Sequence, residues 1–249
     1  ASHYMLDQPW SWQAKQSYIV WDQELNILFD KAEAKFADKV VLEPLSLELS
    51  ERRIGIIGLN GSGKSTFSRM VNGLVLPSSG RVLTNGHDTA IDGAKVRAAV
   101  GYIFQNPANQ IVLPLIKDDV ALGLQSRGLS KQELANTVSA VLDRIGIAHR
   151  SERRAHELSG GELQLAALAS VLVTEPDIVI MDEPTNQLDL KNRNIVERTI
   201  RELKENVIVV SHDLTLLSGF DRVLLFHQGK LVEDGPADET ITHYLALVS

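Results

Sequence analysis

The chain has 249 residues, 44% of them hydrophobic, and sets 25 Lys and Arg against 32 Asp and Glu for a net charge of -7. That length suits one large domain or a domain with a subdomain, and the acidic balance argues against a nucleic-acid partner or a lipid-coating surface. Without Cys there is no disulfide framework and no thiolate metal site; no apolar run reaches the roughly 18 residues of a membrane span, and the N-terminus lacks the apolar core expected of a signal peptide.

All three Trp and two of the four Tyr fall in the first 21 residues, a composition unlike that of the remaining chain. Residues 1–25 are therefore set apart as an atypical segment, either a tag ahead of a native start or an amphipathic arm for a partner, and residues 26–249 are taken as one domain. From Asn26 the runs ILF, VVLEPLSLEL and RIGIIG are each short enough for a strand. Ile54 to Ile57 is apolar on both faces, as a buried strand requires. After Lys64, the residues Phe67, Met70, Val71 and Leu74 keep helical spacing and predict an amphipathic helix stopped before Pro77.

Between Gln105 and Glu157 the signals are mostly helical. Ser130 and Glu133 form a capping box ahead of Leu134, Val138, Val141, Leu142 and Ile145, which predicts a helical subdomain over about residues 106–157 inserted in the core. Leu165, Leu168, Ala169 and Leu172 repeat the helical spacing. IVIMDEP and VIVVSH then supply two buried strands, with a helix carrying Val196, Thr199, Ile200 and Leu203 between them. Such alternation predicts an α/β fold with a mostly parallel sheet covered by helices. The tail RVLLFHQGKLVEDG predicts a hairpin turning at Gln228-Gly229.

The chemistry is concentrated where strands end. GLNGSGKST, residues 58 to 66, has Gly58, Gly63, Lys64 and Ser65 in the spacing of a phosphate loop, between the strand and helix that such a loop needs. Glycines let successive N–H groups point inward at phosphate oxygens, and the helix adds its positive end. Lys64 is expected across the β- and γ-phosphates and the Ser65 hydroxyl on Mg²⁺. IVIMDEP delivers Asp182 and Glu183 at the ligand edge of a parallel sheet; Asp182 is expected to hold Mg²⁺ and Glu183 to activate the attacking water. His212 ends another buried strand and could hold that water against the γ-phosphate. Gln105, after YIF and before Asn106-Pro107, can offer an amide oxygen to Mg²⁺ or water.

LSGGE, residues 158 to 162, looks like a second anion site. Ser159 and Glu162 form a capping box, and Gly160 and Gly161 leave the first-turn N–H groups open to an anion.

Together these segments resemble the ATP-binding cassette family from about Asn26 to Gly235. GLNGSGKST looks like its Walker A loop, Gln105 its Q-loop, LSGGE its signature, IVIMDE its Walker B, NQLD at 186 to 189 its D-loop and His212 its switch histidine. The resemblance implies a P-loop NTPase core with an antiparallel β region and a helical subdomain. It implies ATP and Mg²⁺ as cofactors, with Asn60, Gly61, Ser62 and Thr66 in the Walker A loop and Phe36 stacking on adenine. It also implies a head-to-tail dimer, of identical or different chains, in which Ser159, Gly160, Gly161, Glu162 and Asp189 act on the partner's ATP. Two positions depart from the pattern. Glu162 replaces the usual Gln and is expected to slow closure by adding negative charge; Asn186 stands where a small residue is common.

QNPANQI followed by DDVALGL resembles the ATPase subunits of energy-coupling factor transporters more than those of conventional ones. That implies a place at the cytoplasmic face of the cell membrane, held by a membrane coupling protein beside a substrate-binding membrane subunit. Biotin is the first expectation for the cargo, cobalt or nickel the second. The other readings are a conventional transporter ATPase, a DNA-repair ATPase, whose core a coiled coil or zinc module would interrupt, and a translation factor, which would carry two cassettes.

Overall fold

A computed structural model describes residues 25–248. The tag-or-arm reading of the N-terminal segment thus lies outside the described residues, Leu25 excepted.

β1 (Ile27–Phe36) and β2 (Lys39–Leu49) pair antiparallel, and after β3 (Arg53–Gly58) the chain adds β4 (Ser79–Thr84) and the two-residue β5 (His87–Asp88) to them. The result is a four-stranded antiparallel sheet in the order β2-β1-β4-β5. β3 instead joins β6 (Val100–Ile103), β7 (Ile178–Asp182), β8 (Asn206–Val210), β9 (Arg222–His227) and β10 (Lys230–Gly235) in a sheet ordered β10-β9-β3-β8-β7-β6. Only β10 runs antiparallel within it; its hairpin with β9 turns at Gln228 and Gly229, both at positive φ as the tight primed turn demands.

Eight α-helices are present among the described residues, beside short 3-10 turns: α1 (Lys64–Val71), α2 (Gly93–Ala99), α3 (Ile116–Leu122), α4 (Lys131–Arg144), α5 (Gly160–Leu172), α6 (Leu190–Glu202), α7 (Leu214–Leu217) and α8 (Ala237–Val248). α4 and α5 both start with the capping boxes their sequences carry, Ser130 with Glu133 and Ser159 with Glu162. α1 is shorter than its apolar spacing suggests. Gly73 takes φ +72 just past the helix, so Leu74 turns out to solvent instead of completing the stripe. The α2 and α8 helices and strands β4 to β6 carry no strong periodic signal in the sequence.

The parallel sheet is buried on both faces because its strands alternate between two cores. Ile57, Val179, Met181, Val207, Val209, Val223 and Leu225 face α5, α6 and the helices between β6 and β7. Their neighbours Ile54, Ile56, Ile178, Ile180, Ile208, Val210, Leu224 and Phe226 face α1 and the antiparallel sheet. On that side Phe67 of α1 stacks on Phe29 at 4.5 Å and tilts against Phe226 at 5.0 Å. Each such side chain contributes about 1.5–3 kcal/mol of burial. The parallel register then fixes the functional edge: Ile103 pairs with Met181, Asp182 with Val210 and Gly58 with Phe226, so the residues just past these strands emerge together.

Candidate active site

At that carboxyl edge lies a cleft of about 450 Å³, lined by residues 60–66, Val41, Gln105, Asp182, Glu183, Asn186 and His212. The loop after β3 takes its shape from glycine. Gly58 has φ +140 and a Cβ there would lie 2.1 Å from the Phe226 carbonyl oxygen, so only glycine lets the strand turn this close to β9. Gly63, the N-cap of α1, has no side chain to offer, and nothing caps the helix. The N–H groups at the start of α1 are therefore left for an anion, whereas in α5 the Ser159 hydroxyl accepts from the Glu162 N–H. Ser62 Oγ is buried without a partner in the same loop. Lys64 Nζ donates to the carbonyls of Gly58 at 2.7 Å and Leu59 at 3.0 Å, which lays the ammonium along the loop. Burial lowers its pKa, and the carboxylates of Glu183 and Asp182 pull the other way.

β7 brings two carboxylates with different surroundings. Asp182 is buried: Oδ1 accepts from the Ser65 hydroxyl at 3.1 Å, while Oδ2 accepts from the Tyr102 hydroxyl at 3.2 Å and lies 3.5 Å from the Arg69 guanidinium. Tyr102 is itself held by Ser68 at 3.1 Å, and burial, then the charge of Asp182, pushes its phenol up to about 12, so it stays a donor. Among the described residues no three His, Asp or Glu side chains cluster as a metal cage. One carboxylate beside a hydroxyl is nonetheless the hard oxygen set that Mg²⁺ uses when substrate phosphates supply further ligands.

Glu183 sits one residue past the strand at φ +53, a left-handed backbone that costs a non-glycine residue of order 1 kcal/mol. Its N–H donates to the Val210 carbonyl at 2.8 Å, which locks the turn. Burial raises the carboxyl's pKa, against the His212 N–H and Lys64, which lower it. His212 donates its backbone N–H to Glu183 Oε2 at 3.2 Å, and its Nε2 lies 3.3 Å from Oε1 and 3.2 Å from Asn60 Oδ1. Both neighbours accept, so these partners assign the ring proton to Nε2. Burial first, and then Lys64, lower the imidazole's pKa.

The cleft thus gathers Asn60 to Thr66, Gln105, Asp182, Glu183 and His212 from four separate stretches. Gly58 is not in its lining. Phe36 is not in its lining; it ends β1 with 51% of its surface exposed. Residues 159–162 and Asp189 do not line it either. They lie side by side at the starts of α5 and α6, where Asp189 caps α6 through the Asn192 N–H at 2.8 Å. A Cβ on Gly161 would come within 2.7 Å of the Asn192 Cβ, and one on Gly160 would lie 3.0 Å from a Leu188 methyl, so helix packing by itself favours small residues here.

Four contributors lie outside the sequence motifs. Tyr102 reads in the sequence as part of an apolar run, although a hydroxyl on a strand beside β7 is a signal. Arg69 sits one turn beyond Ser65 on α1. Asp213 comes directly after the switch position, accepts from the Thr185 hydroxyl at 3.2 Å and the N–H groups of Thr215 and Leu216, and pairs with Arg193 of α6. Arg150 pairs with Glu162 at 2.7 Å, and no sequence spacing announces that contact.

A family model described as "ABC transporter" matches residues 42–186. The biotin transport ATP-binding protein BioM of Rhizobium etli is 58% identical over 220 residues, covering 88% of this chain and 98% of that protein. The energy-coupling factor transporter ATP-binding protein EcfA1 of Bacillus subtilis is 38% identical over 211 residues, covering 82% of this chain and 75% of that one. Among solved structures, cbiO1 from Clostridium perfringens, described as part of the ABC transporter complex cbiONQ, superposes with a TM-score of 0.80 at 28% identity, over 90% of this chain and 93% of that one. A glycine cradle, adjacent carboxylates at the end of β7, the family match over residues 42–186 and a relative 58% identical across 98% of its length lead to one conclusion: this chain belongs to the ABC transporter family, among its ATP-binding and ATP-hydrolysing proteins.

Proposed function

We propose that the chain is the ATPase subunit of an energy-coupling factor importer, that it works as a head-to-tail dimer, and that the cargo is biotin. The observation that carries this is the 58% identity, across 98% of its length, to a biotin transport ATP-binding protein. Among the described residues no helix is long and apolar enough to cross a membrane; in this reading transport is coupled through membrane partners. We assign those partners as a coupling protein and a substrate-binding subunit, which hold the chain at the cytoplasmic face.

In this reading the N–H groups of residues 60–66 cradle the phosphates of ATP, and Lys64 swings from its loop carbonyls to the β- and γ-oxygens. Phe36, exposed at the end of β1, stacks on adenine. Ser65, Asp182 and Gln105 would hold Mg²⁺, which would supply neutralisation of the phosphate charge. The burial that raises the Glu183 pKa makes it a stronger base, and the His212 N–H aims it at the water. His212 donates from Nε2 to the γ-phosphate. Ser159, Gly160, Gly161, Glu162 and Asp189 complete the partner's site. ATP binds the closed dimer better than the open one, hydrolysis releases it, and the membrane partner moves with it.

The test is purification of the tagged chain from membranes of its source organism, with the bound proteins identified and biotin uptake measured after Lys64→Ala. Co-purifying membrane proteins and lost uptake are expected. Normal biotin uptake in cells whose only copy carries K64A would overturn the cargo and the coupling together.

A further inference from the structure

Glu162 occupies the third position of α5, where the family pattern has Gln, and a bare charge there would hinder closure on a nucleotide. The structure gives that charge a partner. One oxygen, Oε2, accepts from the Ser159 N–H at 2.9 Å; the other, Oε1, accepts from Arg150 Nε at 2.7 Å, with His149 Nε2 at 3.9 Å. The Ser159 N–H, and then Arg150, outweigh burial and hold the carboxyl below the usual range, so it is ionised at neutral pH. Arg150 comes from a fixed place. It ends the short 3-10 turn Ala148–Arg150, its N–H donating to the Ile147 carbonyl at 2.8 Å and its own carbonyl accepting from the Arg153 N–H at 2.9 Å. The two side chains are 35% and 22% exposed, which protects their attraction from full screening by salt.

We propose that Arg150 is the counter-cation of the signature segment, cancelling the charge of Glu162 so that the start of α5 still attracts the terminal phosphate of a nucleotide held by the partner chain. Glu162 keeps the capping bond that Gln would make, and Arg150 removes its electrostatic penalty. This rests on the proposed sharing of each nucleotide between two chains. Arg150 is a positioning residue: it acts on phosphate only through Glu162.

The experiment measures the ATP concentration for half-maximal hydrolysis, and kcat, for R150A in the otherwise unchanged chain and in the E162Q background. An uncompensated carboxylate near the phosphate raises half-saturation roughly tenfold in the natural background. Replacing Arg150 in the E162Q chain changes it less than about threefold, because no charge is left to cancel. R150K, which keeps the charge, stays within about threefold of the parent even if R150A melts lower. Equal losses for R150A in both backgrounds, or none in either, would overturn the proposal. S159R reports separately on the reading beneath it: hydrolysis untouched by that change removes the shared site, whatever Arg150 does.

Discussion

His212 and Glu183 clasp one another at the edge of the sheet, the histidine N–H 3.2 Å from Glu183 Oε2 and its ring Nε2 3.3 Å from Oε1. A carboxylate fixed in this way has one orientation in which to take a proton. Glu183→Gln keeps the shape and an oxygen for the His212 N–H but removes the base. Hydrolysis is expected to fall by roughly 10² or more with ATP binding retained. Turnover near the parent's, measured by phosphate release, would remove Glu183 from this role.

Lys64 is the one ammonium in the lining of the cleft, and its present acceptors are two loop carbonyls that phosphate oxygens can replace. Lys64→Ala is expected to weaken ATP binding by roughly 10- to 100-fold, the scale of one or two charged hydrogen bonds. Equilibrium binding of a fluorescent ATP analogue gives the answer; unchanged affinity contradicts the phosphate-loop assignment.

Arg144 of α4 grips Glu205, just before β8, through two bonds of 2.8 and 2.7 Å, and Glu205 is nearly buried. Burial pushes that carboxyl up, but Arg144 and nearby backbone N–H groups outweigh it and leave the pKa lowered. The unfolded chain therefore takes up this proton first as pH falls. The pair's contribution is present above the unfolded value, about 4.3, and is lost as pH drops through the folded one. R144A is expected to cost about 1–3 kcal/mol near neutral pH, allowing for the partly exposed arginine, and to lower Tm by about 3–10 °C. The deficit should shrink in acid; a deficit that grows there contradicts the linkage.

Gly161 separates packing from anion access. A methyl group 2.7 Å from Asn192 overpacks the junction of α5 and α6, so G161A is expected to cost about 1–3 kcal/mol in thermal or urea melts. Parent-like stability with impaired hydrolysis would show that the glycine serves the ligand alone.

The parallel sheet and its edge are legible in the sequence because both signals are local: runs such as IVIM and VIVV alternate between two buried faces, and the motif residues come directly after them. The capping boxes at Ser130 and Ser159 are equally plain, since a cap involves residues three apart. Contacts closed by the fold cannot be read in this way. Tyr102 meets Asp182 across 80 positions through neighbouring strands, and Arg150 meets Glu162 only after the chain turns back. The charge of Glu162 is visible in the sequence; its neutralisation is not. The end of α1 at Val71 escapes the spacing argument for another reason, because a glycine at positive φ overrides an apolar stripe.

The central claim is that each nucleotide is held by Lys64 of one chain and the Ser159 segment of the other. It is tested by mixing two inactive variants, K64A and S159R, and assaying hydrolysis. In a mixed dimer both lesions then fall on one site and the second site is whole, so activity returns to roughly a quarter of the parent's if the sites act independently and chains pair at random. A mixture that stays as inactive as either variant alone, while mixed dimers are shown to form, contradicts the account.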